Sequence, residues 1–239
     1  MKVLLIIPSY NEEENVLDNY QKIVDYNKKN KTHYDVIVIN DGSTDKTEEI
    51  CINNHIPYIT LIHNLGIGGA VQTGYKYALE HGYDIAVQFD GDGQHDIRYV
   101  KDIIKPILND KADMVIGSRF IDKSSSEFQS SKARRAGISI ISFFIRIITG
   151  KKIYDTTSGF RAVNKNLIRV FSEDYPVEYP EPVSSTKILK NGFKVEEVAV
   201  SMNERAGGVS SLGKFWKQVY YMFNVILSII LVAQGSDRR

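Results

Sequence analysis

The sequence predicts an α/β protein, with a mostly parallel sheet flanked by helices and apolar or amphipathic helices at the C-terminal end. Three observations predict it. Short runs of Val, Ile, Leu and Phe alternate with helical patterns through the first half of the chain. Those runs are apolar at consecutive positions, as strands buried on both faces are. Alternating strand and helix requires crossover connections, and crossovers join parallel strands.

Taken in order, Val3–Ile7, Asp35–Ile39, Tyr58–Ile62, Ile85–Phe89 and Met114–Gly117 read as strands. Between them Glu12–Asn30, Thr44–Asn54, Gly69–His81 and Ile97–Leu108 read as helices, the second capped by Ser43 or Thr44 with Glu48 and Glu49 in its first turns. Lys123–Arg135 is polar and Ser-rich and reads as a loop, whereas Ile138–Ile148 is strongly apolar. Phe193–Val200 reads as a further strand, Gly207–Gly213 as a turn, and Phe215–Ala233 as a long apolar helix interrupted by Asn224 and Ser228. No internal repeat or linker is evident, so the expected division is a main domain over residues 1–210 and a membrane- or partner-associated helix in 211–239.

Composition excludes several classes. The 239 residues carry 30 Lys and Arg against 29 Asp and Glu, so there is no basic excess for general nucleic-acid binding. The single cysteine, Cys51, precludes an internal disulfide and sits among apolar residues, where it reads as a packing residue. The apolar run at Val3–Ile7 is too short for a signal peptide and has no small-residue cleavage site, which points to the cytoplasm.

In a parallel sheet, ligands bind beyond the carboxyl ends of the strands. Four loops fall there. Asp90-Gly91-Asp92-Gly93-Gln94-His95 follows the fourth strand. Two carboxylates so spaced can share one hard cation, Mg²⁺ or Mn²⁺, that also binds substrate phosphates; on its own the string also reads as an Asp/Gly turn. Asn40-Asp41-Gly42-Ser43-Thr44-Asp45 combines a turn with a helix cap, and Asp41 stands at the strand end. Pro8-Ser9-Tyr10-Asn11-Glu12 offers Tyr10 to cover a base and Glu12 to bond to it. Asn64-Leu65-Gly66-Ile67-Gly68-Gly69-Ala70 opens a helix whose N-terminus favours anions.

Together these strings resemble glycosyltransferase family 2, and within it the polyprenyl-phosphate branch of dolichol-phosphate mannose synthase-like enzymes. The likeness continues through Gly117-Ser118-Arg119-Phe120, Thr157-Ser158-Gly159-Phe160-Arg161, Tyr179-Pro180-Glu181-Pro182 and Glu204-Arg205-Ala206-Gly207-Gly208-Val209-Ser210. It implies a GT-A, Rossmann-like fold and an inverting, metal-dependent transfer from a nucleotide sugar. It further implies a nucleoside site at Pro8, Tyr10, Glu12 and Asp41, with Asn64 and Gly69 on the donor side. Asp90, Asp92 and Gln94 match the metal and diphosphate site. Arg119, Ser158 and Arg161 match positions near the donor sugar or the acceptor phosphate, Arg205 matches a diphosphate-binding arginine, and Glu181 matches an acidic group near the acceptor. Asp92, Glu181 and Arg161 are the expected catalytic set. Two departures stand out: Ser211 replaces the family lysine, with Lys214 shortly after, and Val183-Ser184 stand where related chains often carry an acidic residue.

The apolar part of Phe215–Ala233 is shorter than the roughly 20 residues a spanning helix needs. Its aromatics Trp216, Tyr220, Tyr221 and Phe223 suit an interface, and Ile138–Ile148, preceded by Lys132, Arg134 and Arg135, suits the same plane; both stretches also read as core helices. Arg134 and Arg135 would meet anionic headgroups or an acceptor phosphate. The expectation is a cytoplasmic enzyme peripheral to the inner face of the cell membrane, with a small membrane-protein partner. It would transfer a sugar from UDP-glucose or UDP-N-acetylglucosamine to polyprenyl phosphate for cell-wall or surface polysaccharide, with GDP- and dTDP-linked donors open. Transfer to a hydroxyl of a lipid-linked glycan, and a catalytically silent nucleotide-sugar scaffold, are the alternatives. A nucleotidylyltransferase would need a Gly-rich loop with Arg after the first strand, and Pro8–Glu14 has none.

Overall fold

The computed structural model describes residues 1–91, 93–121, 132–202 and 215–235, without the side chains of 132–134 and 215–219. Its strands are β1 (Val3–Ser9), β2 (Tyr34–Asn40), β3 (Tyr58–Thr60), β4 (Ile85–Gln88), β5 (Met114–Ser118), β6 (Arg161–Asn164) and β7 (Val195–Ala199). They form one sheet in the order β3-β2-β1-β4-β6-β5-β7. Among the described strands β6 alone runs antiparallel, wedged between β4 and β5. The helices are α1 (Val16–Asn30), α2 (Thr47–Asn53), α3 (Gly66–Glu80), α4 (Val100–Leu108), α5 (Lys132–Thr149), α6 (Lys165–Glu173), α7 (Pro180–Lys190) and α8 (Phe215–Gly235). The mostly parallel α/β architecture expected from the sequence is thus the observed one.

β1 is buried along its whole length, and its alternate side chains feed opposite faces. Leu4 and Ile6 enter a core with α3, α5, α6, α7 and α8, while Val3, Leu5 and Ile7 enter a second core with α1, α2 and α4. Cys51 packs in the second core, where burial pushes its thiol up to about 11, so it is a packing residue.

Several element boundaries differ from the sequence reading. Asn11 adopts a positive φ of 55°, and the chain continues as turns to Asn15, so α1 begins at Val16 and Glu12 stands in the loop. α2 begins at Thr47, and neither Ser43 nor Thr44 caps it. Its N-cap is Lys46, and Asp45 Oδ1 just before it accepts the Thr47 N–H at 3.0 Å and the Thr47 hydroxyl at 2.6 Å. β3 stops at Thr60, leaving Ile62 90% exposed. Lys132–Arg135 open α5 and do not end a loop; residues 122–131 lie outside the described residues. β6, α6 and α7 are additional to the sequence reading.

α5 and α8 are core helices on one face and exposed apolar helices on the other. Ile141, Ile145, Val225 and Ile229 are fully buried, whereas Ile140, Phe143, Ile147, Tyr220, Phe223, Leu227 and Leu231 are exposed. No helix among the described residues is long and apolar enough to cross a membrane.

Candidate active site

The carboxyl ends of β1, β2 and β4 bring three of the expected loops together. The first two are braced by side chains. Ser43 Oγ accepts the Asn11 N–H at 2.9 Å, Asn11 Oδ1 accepts the Thr44 N–H at 2.9 Å, and Asp45 Oδ2 accepts the Glu13 N–H at 3.0 Å. Pro8 is the penultimate residue of β1 beside this brace and Tyr10 is 48% exposed beyond it, while Glu12 is half-buried and accepts from Asn15 Nδ2 at 2.7 Å. Asp41 is buried, and its Oδ1 accepts the Leu65 N–H at 2.7 Å, which ties the Gly-rich turn to the end of β2. Asn64 Oδ1 in turn accepts the Gly66 N–H at 3.0 Å. Close backbone approach does occur at this turn, but to the protein itself: a Cβ on Gly68 would lie 2.3 Å from the Pro176 carbonyl. Gly69 is likewise buried against Leu65.

The β4 loop crosses the end of β1. A Cβ on Gly91 would stand 2.9 Å from the Pro8 carbonyl oxygen, so only glycine fits that crossing. Asn19 Nδ2 donates to the Gly91 carbonyl and pins the loop from α1. Asp90 is half-buried, and its backbone N–H donates to His95 Nδ1 at 2.9 Å. That bond leaves the ring proton on Nε2, which lies 3.4 Å from Asp90 Oδ2. The His95 ring is buried and stacked on Phe160 at 4.6 Å. Gln94 is half-buried on the same loop. All of Asp92, Arg205, Ser211 and Lys214, and the side chain of Arg134, lie outside the described residues.

Beneath Asp90 the floor is polar and closed. Arg161 of β6 is only 1% exposed; its Nε donates to the Ser158 carbonyl at 2.7 Å, and its Nη1 to the Glu181 carbonyl at 2.8 Å. The same Nη1 donates to Ser184 Oγ and Ser185 Oγ, both at 3.1 Å. Ser184, at the position where an acidic residue was expected, therefore receives an arginine. Ser158 donates its own hydroxyl to the Gly117 carbonyl at 2.6 Å. Arg161 and Ser158 thus build this floor. Glu181, in the first turn of α7, is half-buried. Burial raises its carboxyl above the ordinary value, with Arg161 opposing.

Beside this floor Arg119 forms a bidentate pair with Asp155, through Nε–Oδ2 at 2.7 Å and Nη2–Oδ1 at 2.8 Å. Burial would lower its guanidinium, but Asp155 and the nearby Asp90 hold it raised. Arg119 also lines a cavity of about 510 Å³ whose other walls include Arg135, Arg146, Lys152, Phe143 and Tyr154. Gln88, Asp155 and Ser185 escaped sequence reasoning, and His95 entered it only as the last residue of the β4 loop string. Gln88 carried a signal, as the one amide in an otherwise apolar strand two residues before Asp90.

The residues present fit a hard cation at Asp90. A Cβ on Gly159 would lie 2.8 and 2.9 Å from the two Asp90 oxygens, so glycine there makes room for the carboxylate. Carboxylate oxygen suits Mg²⁺ or Mn²⁺. Among the described residues no group of three His, Cys, Asp or Glu side chains forms a cage.

Residues 4–171 match the family described as Glycosyl transferase family 2. The UDP-N-acetylglucosamine–dolichyl-phosphate N-acetylglucosaminyltransferase of Methanococcus voltae is 35% identical over 224 residues, covering 83% of this chain and 84% of that protein. The undecaprenyl-phosphate mannosyltransferase of Micrococcus luteus is 30% identical, covering 89% of this chain and 88% of its own. Glucosyl-3-phosphoglycerate synthase of Mycobacterium tuberculosis, crystallised with Mn²⁺, UDP and phosphoglyceric acid, superposes with a TM-score of 0.70 at 16% identity. It covers 97% of this chain and 78% of that one, and at that identity the likeness concerns the fold. With the strand-end loops assembled as the sequence motifs require, the chain belongs to glycosyltransferase family 2.

Proposed function

We propose that this enzyme transfers a sugar, with inversion, from a nucleotide-sugar donor to polyprenyl phosphate. The observation that carries the reading is the cavity lined by Arg119, where Arg135, Arg146 and Lys152 share the walls with Phe143 and Ile138. Cations set among apolar side chains suit a phosphate on an apolar tail, and the exposed face of α5 continues from the rim. The names of the Methanococcus and Micrococcus relatives, which act on dolichyl and undecaprenyl phosphate, support the same acceptor class.

In this proposal the loops carrying Pro8, Tyr10, Glu12 and Asp41 hold the nucleoside, with Asn64 and Gly69 on the donor side. A Mg²⁺ or Mn²⁺ ion held by Asp90, Asp92 and Gln94 would supply neutralising charge at the diphosphate. A phosphate oxygen of the acceptor forms the new bond to the anomeric carbon as the bond to the diphosphate breaks. The electron pair leaves on the nucleoside diphosphate, where Arg205 stabilises it. An acceptor phosphate is largely ionised at neutral pH, so no general base has to take its proton. Arg135, with Arg134, holds the acceptor phosphate, and most of the rate comes from positioning and charge. Arg161 acts through Glu181 and the α7 serines.

Transfer to a hydroxyl of a lipid-linked glycan is the second reading, favoured by the raised carboxyl of Glu181, which suits a general base. UDP-glucose and UDP-N-acetylglucosamine are the donors to try first, and surface polysaccharide is the destination. The exposed faces of α5 and α8 would rest on the inner face of the membrane or on a small membrane protein. The test is nucleotide release from UDP-, GDP- and dTDP-sugars, with Mn²⁺ and with undecaprenyl phosphate present or absent. Release that needs both supports the proposal and names the donor. Nucleotide binding without release from any donor would mark a silent module.

A further inference from the structure

Gln88 ends β4 and is 1% exposed, in register opposite Arg161 of the antiparallel β6. Its Nε2 donates to Asp90 Oδ1 at 3.3 Å. Its Oε1 has no partner among the described residues. The bond to Asp90 therefore belongs to the amide NH₂. The opposite amide orientation would set Oε1 against the Asp90 carboxylate.

We infer that Gln88 is a positioning residue whose NH₂ holds the Asp90 carboxylate in the orientation a divalent cation requires. The inference rests on the metal reading of Asp90. Neighbouring geometry agrees with it. A Cβ on Gly159 would lie 2.8 Å from both Gln88 Nε2 and Asp90 Oδ1, so the glycine leaves room for this contact. His95 Nε2 faces the other oxygen, Oδ2, at 3.4 Å. Each oxygen of Asp90 thus faces its own donor, one at the end of β4 and one in the loop after it. The chemistry of the residue also fits. An amide restrains a carboxylate without cancelling its charge, whereas a lysine here would neutralise Asp90 and compete with the cation. A glutamate would set a second carboxyl against Asp90. Partners that orient metal-binding carboxylates typically change metal affinity by about 10–100-fold when removed.

The test uses the full chain and the variants Gln88→Leu and Gln88→Met, which keep the volume and remove the donors. Mn²⁺ affinity is read from the free-ion electron paramagnetic resonance signal in the presence of UDP, per mole of protein folded by circular dichroism. The KM for Mn²⁺ and kcat are measured alongside. The expected result is Mn²⁺ binding weakened about 10-fold or more, with a matching rise in the Mn²⁺ KM. The Met variant serves if the Leu variant does not fold. Wild-type affinity in a folded variant, whatever its melting temperature, overturns the assignment while leaving the metal reading intact. A wild-type chain that holds no Mn²⁺ even with UDP overturns both.

Discussion

Arg119 and Asp155 form a fully desolvated pair, with side chains 6% and 0% exposed and Nε–Oδ2 at 2.7 Å. Thr157 Oγ1 accepts a further bond from the arginine at 3.1 Å. Removing one partner would leave a buried charge uncompensated, which costs about 3–5 kcal/mol. Asp155→Asn is expected to lower the stability to urea by that order. Arg119→Lys should lower it as well, because an ammonium cannot reproduce the fork. A loss below 1 kcal/mol in both would mean that the pair behaves as a surface contact.

Asp155 is itself held by Glu197, whose Oε1 and Oε2 accept the N–H groups of Asp155 and Tyr154, each at 2.8 Å. Burial raises the Glu197 carboxyl above its ordinary 4.5, although both N–H groups and Ser118 act to lower it. The folded chain therefore keeps this proton where the unfolded chain has released it. Its contribution is fully present below pH 4.5 and is lost as pH rises through the folded value. Glu197→Gln cannot titrate. The gap in urea midpoint between wild type and this variant should be wider at about pH 4 than at about pH 7, and a gap that widens with pH would contradict the assignment.

Much of the fold was legible because strands buried on both faces are unbroken apolar runs, as in Leu4, Leu5, Ile6 and Ile7. The three loops around Asp90, Asp41 and Tyr10 followed from the rule that ligands meet the carboxyl ends of parallel strands. β6 was illegible for a physical reason. It has four residues and opens with Arg161, a charge tolerated there only because Ser184, Ser185 and the Glu181 carbonyl, all on the distant α7, receive it. The bracing of Asn11 against Ser43 and Thr44 depends on a left-handed backbone at Asn11, which composition does not reveal. Hence Ser43 and Thr44 read as caps when they are cross-links.

Gly159→Ala is expected to damage the site more than the fold. The added carbon would meet Asp90 Oδ1 and Gln88 Nε2, both at 2.8 Å, and these are the ends of side chains that can move. Moving them displaces the carboxylate while the sheet stays paired. Nucleotide release should fall about 10–100-fold, with a melting temperature close to that of wild type. Unchanged release would show that the Asp90 orientation is not critical.

The exposed face of α5 offers a test of membrane contact. Phe143 and Ile147 are 58% and 64% exposed, so replacing both by Glu should change stability by about 0.5 kcal/mol or less each. Burying such side chains in a bilayer would contribute about 1.5–3 kcal/mol each. The double variant should therefore sediment with anionic vesicles at least about 10-fold less well. Equal sedimentation would leave this face to another partner.

The cavity cations separate acceptor binding from donor chemistry. Arg146 and Lys152 are exposed on its walls, and Lys152 Nζ lies 4.3 Å from the centre of the Tyr154 ring. A charged hydrogen bond to phosphate is worth about 1.5–3 kcal/mol, so each substitution to Glu should raise the KM for polyprenyl phosphate about 10-fold or more. The Kd for UDP, which reads only the donor site, should be unchanged. A rise in the donor KM with no change in the lipid KM would move the cavity to the donor side and remove the main support for a lipid-phosphate acceptor.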